Sequence, residues 1–248
     1  MSMIDITRFK PLSYACTEAL NTLCTNLTFA GEDKKVIMIT SSQAHEGKSF
    51  VSMNIMRTLA GLGHSVVHIA ADLRRSMIAS KYGLKIREGS GMGLTHYLAG
   101  MCTADSVVYE TSIHNAYMVP LGREVSNSLA LLTTGRMARL LSYLRERYDY
   151  VIVDAPPVGI IIDAAEIAKN CDGVIITCKY KTATRRELVE VKRQIDRSEC
   201  QILGCVLNCV AFDSLSSKHY YQKSAYASYE SDYISSKPKK KKTGVLSK

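Results

Sequence analysis

An apolar stretch at residues 36–40 runs into a loop that closes on Gly47-Lys48-Ser49, where a helical pattern begins. This stretch constrains the fold more tightly than any other part of the chain. A buried strand must deliver the backbone to a helix N-terminus, where free N–H groups attract anions. In a phosphate-binding loop of this layout the lysine reaches the β- and γ-phosphates, and the hydroxyl holds Mg²⁺. Ser42, Gln43, Ala44, His45, Glu46, Gly47, Lys48, Ser49 and Phe50 are therefore the expected nucleotide cradle. Two positions depart from the common pattern. Ser42 stands where the first glycine belongs, and His45 occupies a loop position that is usually glycine. Histidine tolerates positive φ better than most residues, so the loop can survive that exchange.

Further apolar, β-branched runs at residues 66–70, 150–154, 174–178 and 202–207 read as buried strands. Helical patterns at residues 48–60, 134–147 and 184–197 separate them, and another at residues 13–29 precedes the first strand. Strands alternating with helices predict an α/β fold, with a mainly parallel sheet covered by helices on both faces. Ligands of such sheets bind at the carboxyl ends of the strands. Asp154 closes the run YVIVD at such an end and is the expected second protein oxygen for Mg²⁺. Asp72 also follows a strand, with Arg74 and Arg75 close behind. Asp163, in GIIIDAAEIA, reads as a helix cap, and His68 as a core or surface residue without ligand spacing.

Periodicity stops after Phe212. The expected division is a nucleotide-binding domain over residues 1–212 and a disordered tail over residues 213–248, rich in Ser, Tyr and Lys. In that tail eight lysines stand against Asp213, Glu230 and Asp232, which leaves +5 of the chain's formal +9. Such a run is usually a solvated face, but it also suits an anionic lipid surface. No apolar run approaches the roughly 18–20 residues needed to span a bilayer. Nor does the N-terminus carry a signal-peptide core. The eight cysteines show no ligand spacing and read as buried free thiols, which fits a cytoplasmic location.

The segments SSQAHEGKS, ADLRRS, DYVIVDAPPVGIIIDA and HYYQKSAYASYESDY together resemble the bacterial tyrosine autokinases of capsule and exopolysaccharide synthesis. The likeness runs from about Tyr14 to Tyr233, and it is to the form in which the kinase is a separate, soluble chain. The resemblance implies ATP and Mg²⁺ as ligands. It gives catalytic roles to Lys48, Asp72 and Asp154, and metal contacts to Ser49, Asp72 and Asp154. Arg74 matches the arginine of the family's DxDxR segment, and Asn208 falls where relatives of this fold contact adenine. Tyr220, Tyr221, Tyr226, Tyr229 and Tyr233 match the autophosphorylated cluster. The implied partners are a membrane chain-length regulator (a polysaccharide co-polymerase) acting as activator, and neighbouring protomers. The implied location is the inner face of the plasma membrane, and no nucleic-acid partner is expected.

Two departures bear on activity and assembly. Ala70 replaces the first aspartate of DxDxR, a candidate for the base that accepts the tyrosine proton or for a metal contact. Asn21 and Cys24 replace the arginines of an ExxRxxR pattern that joins protomers in the family, although Glu18 remains. Two readings compete with an active kinase. One is an ATP-binding scaffold of the same polysaccharide system, impaired by Ala70. The other is a switch ATPase of the partition or division-site type, which would carry a lysine at the position of Gln43 and no tyrosine cluster.

Overall fold

The structure, a computed structural model, describes residues 2–210. The tail at residues 213–248, with its five tyrosines, lies outside the described residues.

The elements in chain order are β1 (Met3–Ile6), α1 (Tyr14–Phe29), β2 (Val36–Ser41), α2 (Lys48–Gly61), β3 (Val66–Ala70), α3 (Ile78–Tyr82), β4 (Leu84–Glu88), α4 (Leu94–Leu98), β5 (Tyr109–Thr111), β6 (Ala116–Val119), α5 (Ser128–Leu132), α6 (Arg136–Arg145), β7 (Tyr150–Asp154), α7 (Asp163–Ala168), β8 (Gly173–Lys179), α8 (Arg185–Asp196) and β9 (Ile202–Asn208). They form one nine-stranded sheet of order β4-β1-β5-β6-β3-β7-β2-β8-β9. Strands β6, β3, β7, β2, β8 and β9 run parallel to one another. Antiparallel pairing is confined to β1 with β4 and β5 with β6.

The central strands explain why the sheet is covered on both faces. Successive side chains of a strand point to opposite sides, yet Val36, Ile37, Met38 and Ile39 of β2 are all fully buried. Leu59 and Met56 of α2, Leu140 and Leu144 of α6, and Ile167 of α7 share the same core. The expected strands and long helices are all present. The helix read at residues 134–147 is shorter, starting at Arg136 after Gly135 adopts φ 71°. Ser13 caps α1 by accepting from the Cys16 N–H, and Thr184 with Glu187 forms a capping box on α8.

Strands β1, β4, β5 and β6 have three to five residues each, too short for a periodic signal. The thiols differ from expectation. Cys24, Cys178 and Cys200 are buried, whereas Cys205, in the middle of the edge strand β9, and Cys209, just beyond it, are exposed. Among the described residues no helix is long and apolar enough to cross a membrane.

Candidate nucleotide-binding site

Residues 42–47 join β2 to α2, and the loop is built around the Glu46 carboxylate. One of its oxygens accepts from Ser42 Oγ and from the Gln43 N–H, both at 2.8 Å. The other accepts from the Lys179 N–H on β8 at 3.2 Å. Ser42, where glycine is usual, thus contributes a hydroxyl that ties the loop's first residue to its fifth. The backbone bends as expected, with His45 at φ 63° and Gly47 at φ 95°. Gly47 has a second reason to lack a side chain, because an added Cβ would lie 1.9 Å from Asn208 Nδ2. That amide donates to the Glu46 carbonyl at 2.9 Å, so Asn208 braces the loop. Gln43 Nε2 donates to Glu187 on α8 at 3.0 Å.

Lys48 and Ser49 open α2 beneath the carboxyl ends of β3 and β7. Ser49 Oγ donates to Asp154 Oδ2 at 2.6 Å. Asp154 is buried, and among the described residues its Oδ1 has no hydrogen-bond partner. Burial pushes its carboxyl up to about 6, against the Ser49 hydrogen bond and the Lys48 charge. Burial also raises Asp72, opposed by the Arg75 N–H at 3.2 Å and by Lys48. Lys48, Ser49, Asp72 and Asp154 therefore form one electrostatic group.

An unpaired buried carboxylate oxygen beside a hydroxyl and a lysine fits a divalent cation that arrives with phosphates. Mg²⁺ in such sites takes one or two protein oxygens and fills its octahedron with phosphate and water. Accordingly, among the described residues no group of three or more His, Cys, Asp or Glu forms a self-sufficient metal cage.

Other expected residues are placed differently. Arg74 forks onto Asp163, with Nε at 3.1 Å and Nη2 at 3.3 Å, and also donates to Ser128. Its guanidinium is thus committed to a salt bridge, which lies close enough to Asp72 for the charges to interact. Asp163 is not the cap of α7, since Ile162 holds that position. It is a fully buried anion shared by Arg74 and Ser128. A carboxylate inside the apolar run GIIIDAA needs a partner, and that was the available signal for this pair. The Phe50 N–H donates to the Gly47 carbonyl, while the Lys81 ammonium lies 5.8 Å from the Phe50 ring centre. His68 is a core residue, hydrogen-bonded to Ser52 at 3.0 Å and held neutral, its pKa lowered by burial to about 3. Asn21 Nδ2 donates to Glu18, and Cys24 is buried against α2. No cationic side chain stands at either position of the helix.

A buried parallel strand, a loop closing on Gly-Lys-Ser and a carboxylate from the adjacent strand define a nucleotide-binding protein of the phosphate-loop class. Residues 34–202 match the AAA domain family. The chain is 36% identical over 191 residues to tyrosine-protein kinase CpsD of Streptococcus pneumoniae, covering 77% of this chain and 83% of that one. The kinase domain of Escherichia coli tyrosine kinase ETK superposes with a TM-score of 0.74 at 28% identity, covering 84% of each chain. The septum site-determining protein MinD of Pyrococcus horikoshii, complexed with Mg-ADP, shares the fold at a TM-score of 0.60 and 21% identity, covering 70% of this chain and 69% of that one. The chain belongs to the bacterial tyrosine autokinases of polysaccharide biosynthesis.

Proposed function

We propose that this kinase binds Mg-ATP over residues 42–50 and transfers the γ-phosphoryl group to the tyrosines of its own tail, regulating capsule or exopolysaccharide synthesis and export. The observation that carries this reading is Ser49 Oγ at 2.6 Å from Asp154, with the second Asp154 oxygen buried and unpartnered. Mg²⁺, when bound, would supply positive charge that offsets the charge developing on the phosphates. Ser49 and Asp154 would hold it, and Lys48 would hold the β- and γ-phosphates. Asp72 is the remaining carboxylate of the group and takes the tyrosine proton as general base. Its raised affinity for protons and partial burial suit that role. Arg74 acts through Asp163 instead of on the nucleotide, and Asn208 positions the loop beside the adenine end.

The acceptors are Tyr220, Tyr221, Tyr226, Tyr229 and Tyr233. The activator is a membrane chain-length regulator, which places the kinase at the inner face of the plasma membrane, with the basic tail near anionic lipid. Neighbouring protomers could present one another's tails, although Asn21 and Cys24 offer no arginine for a ring contact.

The full chain, incubated with Mg-ATP and the activator's cytoplasmic segment, is expected to accumulate phosphotyrosine. The signal should vanish in Lys48→Met and on truncation after residue 212. ATP binding without any signal, restored by Ala70→Asp, would instead establish the impaired scaffold. ATP hydrolysis that persists without the tail and yields no phosphotyrosine would establish a switch ATPase.

A further inference from the structure

Beside the phosphate loop, a small cavity of about 60 Å³ is bounded by Arg8, Phe9, Lys10, Phe50, Lys81 and Tyr82. Its wall is built from several elements. The Arg8 N–H donates to the Tyr82 carbonyl at 3.0 Å, and the Phe9 and Tyr82 rings lie 5.0 Å apart. Arg57 of α2 places its guanidinium 4.8 Å from the Phe9 ring centre. The Lys81 ammonium lies 5.8 Å from the Phe50 ring and 5.7 Å from the Tyr82 ring. The Tyr82 hydroxyl reaches the Ser49 carbonyl at 3.4 Å, which joins this surface to the catalytic loop.

Among the described residues, no carboxylate lies within ion-pair distance of Arg8, Lys10, Arg57 or Lys81. Four uncompensated cations around three aromatic rings create a positive potential over a surface that can also stack a ring. A phosphotyrosine presents both complements in one side chain, a near-dianionic phosphate and an aromatic face. We propose that this basic, aromatic surface docks phosphorylated tyrosines of the chain's own tail.

Charge makes the docking conditional on modification. The unmodified tail carries +5 and is repelled. Each phosphate adds about −1.5 to −2, so five bring the tail to roughly −2.5 to −5. The 12 residues from Asn208 to Tyr220 can span at most about 40 Å, at roughly 3.3 Å each. The tail of the same chain or of a second copy could therefore occupy the site, holding the product of transfer next to Ser49. This inference rests on the tail being the phosphoryl acceptor.

The test uses the full-length, phosphatase-treated protein and a synthetic peptide of residues 217–235, phosphorylated at Tyr221, Tyr226 and Tyr229, followed by fluorescence anisotropy at physiological salt. The phosphopeptide is expected to bind at least tenfold more tightly than the unmodified peptide. The Lys10→Ala/Lys81→Ala variant should lose at least tenfold in phosphopeptide affinity at an unchanged melting temperature. A control variant, Lys169→Ala/Lys192→Ala, should match the wild type. Equal binding of the two peptides overturns the proposal, as does a loss no larger than the control's. So does a variant that weakens binding to anionic phosphatidylserine vesicles but not to the phosphopeptide, which would assign the surface to membrane. Because the peptide's phosphates are synthetic, the result is independent of kinase activity. Failure to dock alongside normal autophosphorylation removes this inference alone.

Discussion

Ala70 and Asp154 are register partners at the carboxyl ends of the adjacent parallel strands β3 and β7. The position of the first aspartate of the DxDxR segment is thus one strand spacing, about 4.8 Å, from the Asp154 backbone. A methyl group there leaves Asp72 as the other carboxylate in the electrostatic group of Lys48 and Asp154.

Ala70→Asp should raise the autophosphorylation rate at least tenfold, within the roughly 10²–10⁴-fold range of general acid–base catalysis. Without Mg-ATP the same variant should melt lower, because two carboxylates then share one dry strand end. Quantitative phosphotyrosine blotting and a thermal melt check the two halves. An unchanged rate would assign the base role wholly to Asp72.

Asp154→Asn should abolish transfer and yet stabilise the nucleotide-free protein. The folded carboxyl titrates near 6, above its unfolded value of 3.8. The unfolded chain therefore releases its proton first, and this group's contribution is lost as pH rises from about 4 to 6. At pH 7 the amide should gain about 1–3 kcal/mol, a benefit that fades as pH falls from about 6 to 4. His68 acts with the opposite sign. Its folded pKa of about 3 lies below the unfolded 6.5, so its contribution is lost as pH falls. Urea melts from pH 4 to 8 should show the variant losing stability on acidification more steeply than the wild type.

Gly47→Ala meets two obstacles, a backbone at φ 95° and the Asn208 amide. It should cost about 1–3 kcal/mol and weaken nucleotide binding. Asn208→Ala combined with Gly47→Ala relieves the collision but leaves the backbone strain, so the double variant should recover only part of the affinity. Titration with a fluorescent ATP analogue resolves these contributions.

Arg74→Ala leaves Asp163 charged and buried with only the Ser128 hydroxyl. The melting temperature should fall, and Asp163→Asn added to it should restore a substantial part of the loss. Nucleotide affinity should change little in either variant, since the Arg74 guanidinium is taken up by Asp163 and Ser128. A large selective loss of ATP binding in Arg74→Ala, with unchanged melting, would return this arginine to the nucleotide.

The parts of the site legible in sequence are those fixed by local geometry. Gly47-Lys48-Ser49 had to open a helix after a buried strand, and Asp154 had to close one. The roles of Glu46, Asp163 and Asn208 were not legible, because each is set by partners from other strands or helices. Glu46 joins Ser42 to β8, 133 positions away in the chain at Lys179. Arg74 read as a nucleotide contact because it matches the arginine of the DxDxR segment. Its partner within the described residues, Asp163, lies 89 residues downstream.

The sequence by itself determined the strand–loop–helix units, their parallel tendency and the place of the Gly47-Lys48-Ser49 loop at a helix N-terminus. These depend on periodicity, on glycine's conformational range and on the chemistry of lysine and serine, all local properties. Tertiary structure alone decided the strand order that sets β3 and β2 on either side of β7. That order brings Asp72, Lys48 and Asp154 into one field. Long-range juxtaposition follows from how the sheet is assembled, which no local pattern encodes.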